Sequence, residues 1–384
     1  MDFSLTEEQR ILKTTLREFL EREVTPIASE RDAKGALTRD ELVEWNRRLM
    51  PFGFYLGGLP EEYGGSNLSH TTCGIIYEEL ARSWAGLAGA VNLTDMGLFK
   101  DMAFAVEAIR EKYLPRIKSG ELIICAGITE PNVGSNTTAI ETTAVLDGDY
   151  YVINGMKEWI SNGSVADVCT VIAQTDKSQG SLGIRQIVVD REVSPYESRE
   201  LPKLGLHAFP TAELTFSDCR VPKENMIPAS SYMTVMKVFD AARPLWGFHA
   251  TGIAQAALDA SIKYCQERIQ WGRPIGRFQL IQNMIYEMVA DIETSRLLCY
   301  RNMDMVDRGE KCRKESSLTK AYAIEAAIRV TSLAIEIHGA YGYSKEFPLE
   351  RYFRDARTWT APDGTSEIQK LIVAGETLGI RAYI

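Results

Sequence analysis

No stretch of this 384-residue chain reaches the roughly 18 apolar residues that a membrane-spanning helix needs. Histidine is scarce. The four residues, at 70, 207, 249 and 338, lack metal-ligand spacing, so no metal centre is expected. Seven cysteines, at 73, 125, 169, 219, 265, 299 and 312, are dispersed without a Cys-x-x-Cys pair. An odd, scattered set reads as free thiols in a reducing compartment and argues against a secreted disulfide frame. Met1-Asp2-Phe3-Ser4 carries no charged n-region, so no signal or transit peptide is expected and the protein reads as cytoplasmic. G-x-G-x-x-G, G-x-x-x-x-G-K-[ST], G-x-S-x-G and H-E-x-x-H are all missing, which weighs against Rossmann, P-loop, α/β-hydrolase and zinc-protease chemistry. Excess positive charge is missing too. At a net −9 the chain is no general binder of nucleic acid or anionic membrane, although a local basic patch can still hold a phosphorylated ligand.

What is present is an ordinary globular composition, 45% hydrophobic and 25% charged, long enough for two or three packed domains. Residues 1–120 read as an N-terminal helical domain. Thr6-Glu7-Glu8-Gln9 fits a capping box, and Ile11, Leu12, Leu16, Phe19 and Leu20 follow on one helical face. Pro60-Glu61-Glu62-Tyr63-Gly64-Gly65 marks a turn before a further helix from Ser69. Residues 121–230 change to short β-prone runs: Tyr151-Val152-Ile153, Val168-Cys169-Thr170-Val171-Ile172, Ile187-Val188-Val189 and Leu214-Thr215-Phe216. Gly, Asn, Asp and Ser turns separate them, as in a compact antiparallel barrel or sandwich. Residues 231–384 return to helical periods, with breaks near Gly272-Arg273-Pro274, Asp307-Arg308-Gly309 and Pro348. Helices, strands and helices in succession predict a segregated α+β plan.

Three segments carry chemistry. Trp359-Thr360-Ala361-Pro362-Asp363-Gly364-Thr365-Ser366 puts a carboxylate in a Pro-Asp-Gly-Thr turn directly before an amphipathic helix. Gly127-Ile128-Thr129-Glu130-Pro131-Asn132-Val133-Gly134-Ser135 and Lys157-Glu158-Trp159-Ile160-Ser161-Asn162-Gly163 place Thr129, Ser135 and Ser161 beside turns at strand ends. Hydroxyls there are ordinarily turn formers, and Trp159 is ordinarily core. By themselves these residues support a ligand-binding α+β protein and no more.

Together, the segments resemble the acyl-CoA dehydrogenase family of flavoproteins, over nearly the whole chain. The resemblance implies a helical domain, a β-barrel or sandwich and a C-terminal four-helix bundle, with FAD between the last two. It implies removal of a proton and a hydride from an acyl-CoA thioester, with electrons passed to an electron-transferring flavoprotein. It also implies a homotetramer built as a dimer of dimers. Ile128 and Thr129 would meet the flavin pyrimidine, Trp159 a ring face, and Ser161 the N5 edge. Arg268-Ile269-Gln270-Trp271-Gly272 matches Arg-x-x-Phe-Gly. There Arg268 would meet the FAD pyrophosphate of a neighbouring subunit, with Trp271 near the adenine. Gln279, Gln282 and Gly339 fall in further cofactor motifs, and Thr365 would approach the adenosine. Ser135, Asp240, Arg243 and Gly364 would serve the acyl-CoA; Asp240 and Arg243 lie in Phe239-Asp240-Ala241-Ala242-Arg243-Pro244.

Departures from the family pattern sharpen the question of the base. Glu336 stands where the family has Gln, and a carboxylate facing a pyrophosphate is repulsive by roughly 1 kcal/mol even in water. Asp363 replaces the family's Glu, and its carboxylate is shorter by one methylene, roughly 1.3 Å, a retraction of the kind that costs of order 10²-fold. Ala242 excludes a substitute Glu beside Arg243. Three readings stay open: Asp363 acts on a repositioned substrate; the proton leaves from elsewhere on the acyl group; or the protein is a non-catalytic or reductase-type relative. For the second, Asp95 in Asn92-Leu93-Thr94-Asp95 is the candidate base toward a ring carbon distal to the thioester. That pattern resembles the branch acting on cyclohexane- or cyclohexene-carboxyl-CoA, which is the substrate expected here. A short linear or branched acyl-CoA dehydrogenase and a flavin-dependent enoyl-CoA reductase are the alternatives.

Overall fold

The computed structural model describes residues 4–95, 106–227 and 232–382. Helix α1 (Glu7–Glu23) starts at the expected capping box, with the Thr6 side chain accepting from Gln9. Helices α2 (Thr25–Ala33) and α3 (Arg39–Leu49) follow, and α3 opens on a second box between Thr38 and Glu41. Helix α4 (His70–Asp95) is interrupted at Trp84, whose backbone is extended, and α5 (Glu107–Lys118) completes the first segment.

The central segment is one seven-stranded sheet. Its strands are β1 (Ile124–Gly127), β2 (Thr143–Asp147), β3 (Tyr150–Ser161), β4 (Val168–Gln174), β5 (Ile184–Asp190), β6 (Glu197–Glu200) and β7 (Thr211–Pro222). They run in the order β1-β4-β2-β3-β7-β6, with β5 on β4. The sheet is mixed: β1 pairs β4 in parallel through Ile124↔Val168 to Gly127↔Val171. Adjacent turns predict antiparallel partners only, so this ladder has no local signal in the sequence.

The C-terminal segment comprises α6 (Tyr232–Glu267), α7 (Gln279–Asp307), α8 (Arg313–His338), α9 (Leu349–Thr358) and α10 (Ser366–Leu378). The first four are separated at the three expected breaks. Helices α6, α7, α8 and α10 bundle together, and α4 lies along α6. That last approach is close: a Cβ on Gly252 would fall 2.3 Å from the Glu78 carbonyl. One continuous apolar core joins the helical segments to the sheet.

Two buried charge arrangements fix the joints. Between β1 and β3, Lys157 Nζ meets Glu130 Oε1 at 2.7 Å, with side chains 0% and 2% exposed. Glu130 also accepts from the Glu141 and Thr142 amides at 2.6 and 2.9 Å. Burial opposes the Glu130 charge, but Lys157 and these donors outweigh it and hold the carboxyl below its usual range. Burial pulls the Lys157 ammonium below its own range, against the attraction of Glu130. At the junction of the three segments, Asp32 of α2 accepts from the Trp84 indole and the Ala208 amide, while Asp355 of α9 accepts from Leu206 N–H at 2.6 Å. Burial and the neighbouring Asp32 push the Asp355 carboxyl up to about 7.

Lys157→Met leaves Glu130 buried without its cation and is expected to cost about 3–5 kcal/mol in urea unfolding. The double change Glu130→Gln/Lys157→Met is expected to cost less than Lys157→Met alone. For Asp355 the folded chain holds its proton above the unfolded range. Its stabilising contribution is therefore full below about pH 4 and lost as pH rises through about 7. Asp355→Asn mimics the protonated form. It is expected to raise stability at pH 8 by on the order of 1–3 kcal/mol and to change little at pH 4, read by thermal melts at both values.

Candidate active site

The Pro362-Asp363-Gly364-Thr365 turn joins α9 to α10. Asp363 has φ +54° and Gly364 φ +91°. Aspartate is among the few side chains that enter this left-handed region readily, and glycine enters freely. Donors from other elements pin the turn's carbonyls. Gln369 Nε2 lies 3.1 Å from the Asp363 oxygen and 3.0 Å from the Gly364 oxygen. Lys320 Nζ of α8 donates to the Gly364 oxygen at 2.6 Å, and Arg243 Nε of α6 approaches the Asp363 oxygen at 3.5 Å. Thr365 caps α10 by accepting from Ile368 N–H. Burial lowers Lys320 to about 8, against the pull of Asp363. Burial likewise lowers Arg243, against Asp363 and Asp240, and raises Asp240. Arg243 and Asp240 stand 3.5 Å apart, one turn from each other on α6.

The Asp363 carboxylate has a partner of its own. Trp246 Nε1 donates to Oδ2 at 2.5 Å. Trp246 stacks on Trp359 at 4.7 Å between centroids and 29° between planes. His249 packs against both indoles and against Tyr77, and Phe209 against Trp359. Gly89 of α4 is pressed onto this wall, where a Cβ would lie 2.8 Å from Phe209 and 3.0 Å from Trp359. Among the described residues, neither His249 ring nitrogen nor Trp359 Nε1 has a hydrogen-bond partner. Burial pushes the His249 imidazole down to about 3, which keeps it neutral at working pH.

Across from the turn, β1 and β3 end side by side. The β3–β7 register slips between Lys157 and Ile160, and within that bulge Trp159 takes φ +61° and is 53% exposed. A bulge re-aims a side chain, and here it turns the expected core indole outward. Lys157 Nζ reaches back to the Ile128 carbonyl at 3.1 Å, and Glu158 N–H donates to the Thr129 carbonyl at 2.9 Å. Ile128, Thr129 and Ser161 are half-buried around it, and Ser135 is exposed. An open indole face beside recessed hydroxyls fits a flat, polar-edged ring such as a flavin. Asn162 ties this end of β3 to α4 through the Ala90 carbonyl at 2.8 Å and to the loop of Phe209 through Pro210. Ile128 packs in one cluster with Phe239, whose ring lies under Arg243. The sheet residues and the Asp363 turn are thereby linked through α4 and α6, and the region between them is the candidate cleft.

Arg268, Trp271, Gln279, Gln282 and Gly339 lie apart from this cleft. They sit on or beside the β8 (Ile269–Gln270) and β9 (Arg273–Pro274) hairpin and the α8 end, and all are exposed, Trp271 by 83%. Stacking of Tyr264 on His338 joins the two parts of this surface. Glu336 is exposed on α8. Asp95 ends α4, and its side chain lies outside the described residues. Trp246, Lys320 and Gln369 take part in this site without standing in any of the motifs that mark it in the sequence. The signals in the sequence are the i, i+3, i+6 series Asp240, Arg243, Trp246 on α6 and a lone lysine within the apolar run of α8.

Three family profiles match in order: acyl-CoA dehydrogenase N-terminal domain over residues 6–121, middle domain over 125–219 and C-terminal domain over 232–378. A glutaryl-CoA dehydrogenase of Desulfococcus multivorans is 37% identical over 388 residues, covering 99% of each chain. An acryloyl-CoA reductase (NADH) of Anaerotignum propionicum is 36% identical, covering 98% of this chain and 96% of its own. The structure of a glutaryl-coenzyme A dehydrogenase in complex with glutaryl-CoA superposes with a TM-score of 0.93 at 37% identity, over 99% of this chain and 98% of the other. With the family's three parts in order and relatives matched end to end, the chain belongs to the acyl-CoA dehydrogenase family, oxidoreductases whose cofactor is FAD.

Proposed function

We propose that this chain dehydrogenates a compact, uncharged acyl-CoA, with Asp363 as the base at Cα and a cyclic acyl group of the cyclohexane- or cyclohex-1-ene-carboxyl type as substrate. The observation that carries the reading is the Trp246–Asp363 hydrogen bond beside the stacked Trp246–Trp359 wall. The bond aims a carboxylate at the cleft. Both indoles are buried, 4% and 0% exposed, so they back the carboxylate with a rigid apolar layer, and the cyclic acyl group rests on the resemblance to the ring-acting branch of the family. Between Trp84 and Val91, α4 presents buried Trp, Ala, Leu and Val residues and no cation. A dicarboxylic acyl group, as in the glutaryl relative's name, would bury its second charge there unpaired, which is costly.

In this reading Asp363 takes the α proton, and its backbone N–H faces the thioester oxygen, where negative charge develops. Arg243 and Asp240 hold the CoA chain along α6, Gly364 gives the turn its close approach, and Ser135 lies at the entrance. FAD would supply the hydride-accepting chemistry; Ile128, Thr129, Trp159 and Ser161 would hold its ring. Thr365 and the exposed Arg268, Trp271, Gln279 and Gly339 would hold its outer part, the latter four across to a second copy of the chain. That sharing needs at least two copies, in keeping with the homotetramer, a dimer of dimers, that the family resemblance implies. Electrons leave to an electron-transferring flavoprotein. Asp95 is the reserve base for a conjugated ring, where acidity is transmitted beyond Cα. A second reading, reduction of an enoyl-CoA, is favoured by the similarity to the acryloyl-CoA reductase, since the same groups run in reverse would return the proton and the hydride.

The test is anaerobic flavin bleaching with butyryl-, isovaleryl-, cyclohexanecarboxyl- and cyclohex-1-ene-carboxyl-CoA. Rapid bleaching by the cyclic thioesters is the expected result. Rapid bleaching by the linear or branched thioesters alone would reject the cyclic substrate. Asp363→Asn is expected to slow bleaching by about 10²–10⁴-fold. Full bleaching in Asp363→Asn together with loss in Asp95→Asn would move the base to α4.

A further inference from the structure

We infer that Trp246 is the positioning residue that lets a short carboxylate act as the base: its indole N–H holds Asp363 at an aim that a longer acid would reach by its own length. The inference rests on the reading of Asp363 as base.

The two partners of this bond are each fixed independently. On one side, the turn carries Asp363 and Gly364 in left-handed conformations and is gripped through its carbonyls by Gln369 and Lys320. The Asp363 backbone therefore has little room to carry its carboxylate forward. On the other side, Trp246 is only 4% exposed, stacked on Trp359 and packed at a tilt against His249. A buried indole held in this three-ring cluster cannot swing its N–H away without breaking the Trp359 stack. The bond between them, at 2.5 Å to Oδ2, thus joins two immobile frames and removes the side-chain rotation that Asp363 would otherwise keep.

A carboxylate has two oxygens, and this arrangement divides their work. Oδ2 is occupied by the indole, and Oδ1 accepts no hydrogen bond from the described residues. Oδ1 is the oxygen left to receive a proton. A displacement of about 1 Å costs of order 10²-fold, so a fixed direction has a large effect.

Trp246 is also part of the aromatic wall, so the variant must separate N–H from ring. Trp246→Phe keeps an aromatic face without the donor. Replacement of Trp246 by benzothienylalanine keeps the full bicycle and exchanges only the N–H for sulfur, which guards against a folding defect. Each FAD-loaded variant is followed by anaerobic stopped-flow flavin reduction with unlabelled and α-deuterated substrate. The expected result is a limiting rate lower by about 10- to 100-fold, a half-saturation concentration changed by less than roughly threefold, and a larger α-deuterium isotope effect. Asp363→Glu placed on Trp246→Phe is expected to recover about tenfold or more of the lost rate, since the longer acid does not need the clamp. A benzothienylalanine enzyme within about twofold of the parent rate, while Asp363→Asn is inactive, overturns this inference and leaves Asp363 as base. An Asp363→Asn enzyme that keeps its rate overturns the base reading and this inference with it.

Discussion

The grip on the Asp363–Gly364 turn is the constraint on which the cleft depends. Two successive residues with positive φ form a tight corner, and surrounding elements hold it in place. Here Lys320 from α8 and Gln369 from α10 take its carbonyls, and Arg243 from α6 stands close by. The bundle therefore converges on one loop. The lysine is buried on the bundle side and keeps an acceptor rather than a counter-ion in contact, and that burial draws its affinity for a proton down to about 8. Its partner is a backbone oxygen, so the bond survives deprotonation in weaker form and the corner does not hinge on a single charge.

The second half of the cleft rests on the same kind of logic carried out in the sheet. Trp159 points outward because the β3–β7 ladder slips beside it, and the slip is anchored by Lys157 immediately before it. Lys157 in turn bonds Glu130 and the Ile128 carbonyl, so one buried ammonium sets both strand ends that would flank a flavin. Breaking this pair would affect stability and cofactor shape together, because the same bonds serve both. The links through Asn162 to α4 and through Ile128 to Phe239 then bring the sheet residues toward the Asp363 turn.

Much of this was legible in the residues. The Thr6 capping box, the change to β-prone runs and the breaks near Gly272, Arg308 and Pro348 are local signals, and they mark real boundaries. The Pro-Asp-Gly-Thr segment reads as a turn before a helix, and it stands at the start of α10. The parts that stayed hidden are pairings between distant segments. Nothing near Trp246 says that its N–H meets a carboxylate 117 residues away, and nothing near Lys320 names Gly364 as its acceptor. The parallel β1–β4 ladder is invisible for the same reason. Trp159 misleads in the opposite direction: a tryptophan in a strand reads as core, and only the register slip reverses that.

The replacement of the family's Glu by Asp363 looks like a loss when length alone is counted. The backbone supplies another consideration. A side chain at φ +54° pays for the crowding of its Cβ, and Asp is among the residues for which that cost is least. Asp also has one fewer rotatable bond to freeze, so less side-chain entropy opposes a fixed aim. Its shortness then leaves a gap beside the turn, and in this chain an indole occupies the neighbouring volume, donating to the carboxylate and stacking on Trp359. A Glu in the same place would press against that indole unless the wall moved. The acid and the wall are therefore matched to each other.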